Sequence, residues 1–133
     1  MITFIDTNVL LDVFLPDPVW GIKSKNALNI AFEEGSLVIN TIIYAELVPQ
    51  FKTRELLNST LENIGIRILP VDIETAFYAG KAWKQYRDSG GKRERVLSDF
   101  LIGAHAVLHA DRLLSRDRGF YKKYFKSLEL MQI

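Results

Sequence analysis

Short apolar runs of four or five residues alternate with longer stretches in which apolar positions recur every third or fourth place. Ile2-Thr3-Phe4-Ile5 reads as a strand, and Asp6-Thr7-Asn8 supplies capping residues for a helix carrying Val9, Leu10, Leu11, Val13 and Phe14. Pro16-Asp17-Pro18 breaks the chain, after which Ala27, Leu28, Ala31 and Phe32 keep helical spacing until Glu34-Gly35. Leu37-Val38-Ile39 is the second strand. Asn40-Thr41 caps a helix with Ile42, Ala45, Glu46 and Leu47, and beyond Pro49 an amphipathic run with Leu56, Leu57, Leu61 and Ile64 ends at Gly65. Ile66 to Leu69 gives a third strand, Asp72 caps a helix through Tyr86, and Ser89-Gly90-Gly91 forms a loop. A helix from about Leu97 to Ala110 follows, then a strand over Arg112 to Ser115, a short helix over Arg118 to Tyr124, and a final strand over Leu128 to Met131.

Strands separated by helices must pair in parallel, because parallel neighbours need helical crossovers, and the helices then cover both faces. The expected fold is α/β, a three-layer α/β/α sandwich with a mainly parallel central sheet. At 133 residues, with no repeat, linker or low-complexity stretch, the chain reads as one domain over 1–133. In such sheets ligands bind beyond the carboxyl ends of the strands. Asp6 and Asp117 each follow a predicted strand, while Glu46 and Asp99 lie near the starts of helices that can face the same edge.

Composition excludes classes rather than selecting one. The absence of cysteine removes disulfides, thiolate metal sites and cysteine nucleophiles, and fits a reducing compartment. Seventeen basic against sixteen acidic residues leave a formal charge of +1, so overall charge neither advertises nor excludes a nucleic-acid partner. Met1 to Ile5 has no basic flank and is far shorter than a signal h-region or a membrane span, giving a cytoplasmic, membrane-free expectation.

Any single acid at a helix start has an ordinary explanation in capping and dipole stabilisation, worth ~0.3–1 kcal/mol. Four carboxylates gathered without cationic partners instead resist ionisation and point to a bound divalent cation. Asp6 emerges from a wholly apolar strand, and Glu46 and Asp99 stand among Tyr44-Ala45 and Phe100-Leu101-Ile102, which read as core.

The segments Ile5-Asp6-Thr7-Asn8-Val9-Leu10-Leu11-Asp12, Ile43-Tyr44-Ala45-Glu46-Leu47, Ser98-Asp99-Phe100-Leu101-Ile102-Gly103-Ala104-His105-Ala106 and Leu113-Leu114-Ser115-Arg116-Asp117 resemble, in order and spacing, those of PIN-domain nucleases, in particular VapC-type toxins of toxin–antitoxin pairs. The resemblance covers essentially the whole chain. It implies that Asp6, Glu46, Asp99 and Asp117 form a catalytic quartet holding Mg²⁺, with Mn²⁺ able to substitute, and that Asn8 and Ser115 support the site. Family members commonly carry Thr where Ser115 stands, so the hydroxyl is kept without its methyl. The activity implied is endoribonuclease: hard oxygen ligands suit Mg²⁺ or Mn²⁺, which would lower the pKa of an attacking water and stabilise the leaving 3′-oxygen. The resemblance also implies an antitoxin partner whose tail crosses the site, and pairing of toxin subunits as a homodimer.

Rival readings have less support. His105 and His109 are four residues apart on one helix, but His105 lies about 240° round from Asp99, away from the carboxylate face. An RNA-binding module that does not cut would have no need of four mutually repelling acids. An aspartate-nucleophile phosphatase would want an acid at position 8, where Asn8 stands. Arg93 and Arg95, just upstream of Asp99, are the expected contacts for RNA phosphates or an antitoxin tail, against the alternative of a solvated loop. For the carboxy-terminal lysines the solvated reading is preferred. Leu47, Val48, Phe51, Leu56 and Leu57 offer a docking surface, with ordinary core packing as the alternative.

Overall fold

A computed structural model describes residues 1–92, 95–131 and 133. The strands are β1 (Ile2–Ile5), β2 (Ser36–Asn40), β3 (Ile66–Leu69) and β4 (Arg112–Leu114). The helices are α1 (Thr7–Phe14), α2 (Gly21–Glu34), α3 (Thr41–Leu47), α4 (Arg54–Ile64), α5 (Ile73–Asp88), α6 (Leu97–His109) and α7 (Arg118–Tyr124), with a 3₁₀ turn over Val48–Gln50. The predicted punctuation decides most boundaries. Asp6, Asn40, Thr53 and Asp72 accept backbone N–H bonds at the starts of α1, α3, α4 and α5, and Gly65 ends α4 in the left-handed conformation, φ 85°.

All four strands pair in parallel in the order β3-β2-β1-β4, with Thr3 opposite Leu37 on one side of β1 and Phe4 opposite Leu113 on the other. This is the three-layer α/β/α arrangement, and β1 at its centre is wholly apolar after Thr3 because neighbours cover both faces. The fourth strand stops one residue before the predicted end, which turns Ser115 out of the ladder. The expected last strand contracts to one parallel bridge, Leu113 to Leu130, held by Leu113 N–H to the Glu129 carbonyl and Met131 N–H to the Leu113 carbonyl, both at 2.9 Å.

The crossovers from β1 to β2 and from β2 to β3 run to one side, and the next passes back over the sheet to place β4 against the far side of β1. The direction of winding therefore reverses between β1 and β4. A crevice at the carboxyl ends of the strands opens where connections diverge in this way, and it is the general ligand position in open α/β sheets. The core fills the space between layers with Phe4, Leu10, Ile39, Ile43, Phe100 and Phe125, all fully buried. Leu47 and Leu57 belong to that core, so they drop out of the expected docking surface, whereas Val48 and Leu56 are about half exposed, at 47% and 49%. Among the described residues no helix is long and apolar enough to cross a membrane.

A candidate acidic site at the carboxyl edge of the sheet

Asp6 leaves β1 and caps α1, its backbone N–H bonding the Leu114 carbonyl at 2.9 Å and its Oδ1 accepting the Thr7 N–H at 2.8 Å. Its Oδ2 faces β4 and α7, accepting from Ser115 Oγ at 2.7 Å, Tyr121 Oη at 3.1 Å and, weakly, Asn8 Nδ2 at 3.4 Å. Every one of these donors is neutral. Burial pushes the Asp6 carboxyl above its usual range; the bonds from Ser115, Thr7 and Tyr121 oppose the rise, and the charge of Glu46 adds to it.

Glu46 reaches the site from the last turn of α3, where its Oε1 accepts the Thr7 hydroxyl at 2.6 Å. It is exposed, as is Ala45, and the core residues of α3 are Ile43 and Leu47 instead. The expectation that Glu46 is embedded in core near the start of its helix is corrected on both counts, since α3 is only about two turns long and ends at Leu47. Asp99 is half-buried in the first turn of α6 and does cap it, Oδ2 accepting the Val96 N–H at 3.1 Å. Asp117 follows β4, with its N–H bonded to Ser115 Oγ at 2.9 Å. One hydroxyl thus ties two of the acids, donating to Asp6 while accepting from the backbone of Asp117.

Asp117 also has what the pattern of acids seemed to exclude, a cation. Arg95 grips both its oxygens, the second contact at 3.1 Å from Nη2, and stacks its guanidinium 4.4 Å from the Phe120 ring. The bond to Asp117 raises the Arg95 pKa against the lowering by burial, with the charges of Asp117 and Asp99 adding. Arg95 therefore sits at the acids rather than free in a loop; Arg93 lies outside the described residues. Among the described residues, Asp6, Glu46 and Asp99 form no ion pair.

Tyr121 on α7, unforeseen in the sequence, feels the charge of several of the acids. Its hydroxyl is pushed far above the usual phenol range by burial and then by the charge of Asp6, the hydrogen bond to Asp6, and the charges of Asp99 and Asp117. The charges of three of the four acids thus act on one phenol, and that of Glu46 acts on Asp6. Among the described residues, however, no three His, Asp or Glu side chains are close enough to enclose a metal ion by themselves. The histidines stand apart: His105 Nδ1 is 3.1 Å from Asn40 Nδ2, and His109 Nε2 is 2.8 Å from Asp72 Oδ2.

A neighbouring cluster holds the loop that bears Asp117. Arg116 donates from Nε at 2.8 Å and Nη2 at 2.9 Å to buried Asp12, which also accepts from Ser24 Oγ at 2.6 Å. Its own backbone N–H bonds Asn8 Oδ1 at 3.2 Å, fastening the loop to α1 twice. Asn8 thereby touches Asp6 and Ser115 through Nδ2 and braces the loop through Oδ1.

Solved structures with the same fold are found over nearly the whole chain. VapBC2 from Rickettsia felis, bound to a DNA fragment from its promoter, is similar with TM-score 0.75 and 23% identity, covering 98% of each chain. VapBC-1 from nontypeable Haemophilus influenzae has TM-score 0.74 and 19% identity, covering 99% of this chain and 98% of that one. FitAcB from Neisseria gonorrhoeae has TM-score 0.68 and 24% identity, covering 99% and 97%. No curated protein sequence matches the chain. The sequence model of the PIN domain matches residues 3–126, so the chain, with its acids at the β1/β4 crevice, belongs to the PIN domain family.

Proposed function

We propose that this PIN domain is a divalent-metal-dependent endoribonuclease, hydrolysing RNA phosphodiesters in the cytoplasm as the toxin of a toxin–antitoxin pair. The observation that carries the reading is Asp6: a carboxylate buried at the strand-order reversal, with neutral donors on both oxygens and the charge of Glu46 acting on it, beside a phenol that also feels Asp99 and Asp117. That state is relieved by a cation. The donor set is hard oxygen throughout, and Mg²⁺ keeps several waters and is bound through one or two carboxylates together with substrate phosphate.

Asp6 and Asp99 would hold the ion, with Glu46 and Asp117 acting directly or through water. The ion supplies an acidified water and charge for the leaving oxygen. Ser115, Asn8 and Tyr121 fix the Asp6 rotamer before substrate arrives, so no reorientation is needed at the moment of reaction. Arg95 at the rim carries a planar donor fork able to meet a phosphate, and Arg93 shares that role in the proposal. The similar VapBC structures support an antitoxin as partner, which would meet exposed Val48 and Leu56; a second copy of the chain is the other partner proposed.

The test is cleavage of a mixed single-stranded and structured RNA pool with Mg²⁺, with Mn²⁺ and with chelator, beside Asp99→Asn. Cutting that needs metal and disappears in the variant supports the nuclease. The Arg95–Asp117 pair favours one second reading, a PIN-fold module that binds RNA without cutting, since a cation already neutralises one acid. RNA retained uncut in every metal selects that module.

A further inference from the structure

Beside the acids, and separate from them, a cleft of about 550 Å³ is lined by Lys92, Lys123 and Lys126 with Ser89, Tyr86 and Tyr124. Three features make it a built surface. Tyr86 is buried and its hydroxyl donates to the Lys92 carbonyl, while the Gly91 N–H bonds the Tyr86 carbonyl at 2.8 Å, so the loop after α5 is folded back onto that ring. A Cβ at Gly91 would come within 2.4 Å of the Tyr86 carbonyl oxygen and 2.6 Å of its ring, so only glycine lets the loop bring Lys92 to the cleft wall. On the opposite wall Lys123 lies 5.4 Å from the Tyr124 ring centroid, and Tyr124 packs edge-on to Tyr86 at 5.2 Å.

None of the three lysines forms an ion pair among the described residues. Helix α7 joins this cleft to the acids: Tyr121 bonds Asp6, Lys123 follows two residues later, about 3 Å further along the helix axis, and Lys126 stands just past the helix end. The loop that bears Lys92 leads on to Arg95, which ends at Asp117. We infer that the cleft is a second phosphate-binding subsite for single-stranded RNA, engaging the backbone away from the bond cut at the acids. The inference rests on the proposed ribonuclease reading and deepens it.

Three separate ammonium groups act as point charges that follow a flexible polyanion, whereas a carboxylate-bearing peptide would be better gripped by a planar fork such as that of Arg95. Buried Tyr86 packs on Phe100 and Tyr124, and Lys123 lies over the Tyr124 ring, which favours charge over base stacking as the basis of binding and predicts little sequence preference.

The test uses the full chain with Ca²⁺ in place of Mg²⁺, an oxygen-liganded ion that can hold phosphate at the acids without supporting the cut, and fluorescein-labelled single-stranded RNA of about twelve nucleotides and of about three, read by anisotropy across a salt series. The triple variant Lys92→Ala, Lys123→Ala, Lys126→Ala is expected to bind the long RNA roughly tenfold more weakly and to lower the slope of log K against log salt by about 2, from ~0.7 per phosphate contact. The short RNA, spanning only the acids, is expected to bind as before. Circular dichroism of the variant checks that it is folded, and charge-retaining Lys→Arg replacements at the three positions are expected to restore binding. An unchanged slope for the long RNA overturns the subsite while leaving the ribonuclease reading intact. Failure of the unaltered protein to bind any RNA overturns both. Loss of an acidic peptide of equal charge from the variant, with RNA binding unchanged, assigns the cleft to a protein partner and overturns the inference.

Discussion

Asp6 is a carboxylate that the fold holds against its own ionisation, and this has a thermodynamic sign. Its pKa in the folded chain lies above the 3.8 of a free side chain, so the folded state binds that proton more tightly than the unfolded one. Stability therefore falls as pH rises from 3.8 through the raised value and is not regained above it. In chelator, Asp6→Asn is expected to melt higher than the unaltered chain at pH 7, with the gap closing as pH falls toward 3.8 in a thermal melt series; a lower melting temperature at neutral pH contradicts it. Arg95 sets the opposite balance at Asp117. Arg95→Gln removes one charge from a partly exposed pair, on the order of 1 kcal/mol, and is expected to tighten Mn²⁺ binding about fivefold, read from the free-ion signal in electron paramagnetic resonance. Weaker or equal binding would show that Arg95 does not compete with the cation. Asp6, Asn8, Ser115 and Asp117 stood out in the sequence because polar residues beside strand ends break apolar runs, and Asp99 because it falls in a first helical turn, whereas the place of Glu46 in the last turn of α3 was not legible. Nor was Tyr121, since a tyrosine between Phe120 and Tyr124 reads as core and only the fold shows its hydroxyl meeting Asp6. Arg95 was visible as charge, but its partner, 22 residues away, depends on tertiary structure.

At the scale of elements, the punctuation in the sequence did most of the work because caps act locally. Asn40 ends β2, and its Oδ1 accepts the Ile43 N–H at 3.0 Å to start α3, the helix that delivers Glu46. The same side chain donates from Nδ2 to His105 on α6, so one amide joins β2, α3 and α6 with no exposed surface. Burial and the nearby His109 hold the His105 pKa below its usual value, consistent with a neutral ring whose Nδ1 accepts. Asn40→Ala is expected to cost about 2 kcal/mol in urea unfolding, about half from the cap and the rest from an unpaired buried imidazole nitrogen. A loss below about 0.5 kcal/mol would mean that water or a neighbour replaces both bonds. Where the elements departed from expectation the cause was again physical. The last strand shrank to one bridge since only Leu113 on the edge pairs with it, and Leu47 and Leu57 went to the core because α3 and α4 turn those positions inward.

For the molecule as a whole, the alternation of elements dictated parallel pairing, but nothing in its period says that β4 returns to β1 instead of extending beyond β3. That return creates the crevice, and it gathers acids from the end of β1, α3, α6 and the segment after β4, which are separated by up to 111 residues of chain. A cation held there ties the two halves of the fold together and has no equivalent site in the unfolded chain, so it must stabilise the native state by mass action. At a hundred times its dissociation constant this amounts to about 2.7 kcal/mol, a rise of several degrees in the melting temperature of a domain this size. Mg²⁺ and Mn²⁺ are each expected to produce that rise in a thermal melt without RNA, and chelator to reverse it. Asp6→Asn starts higher and is expected to show little or no rise, and Asp99→Asn to lose most of it, while the lysine triple variant keeps it in full because its cleft binds anions. An equal rise in all four proteins would place the ion outside the acids and remove the metal from the proposed chemistry.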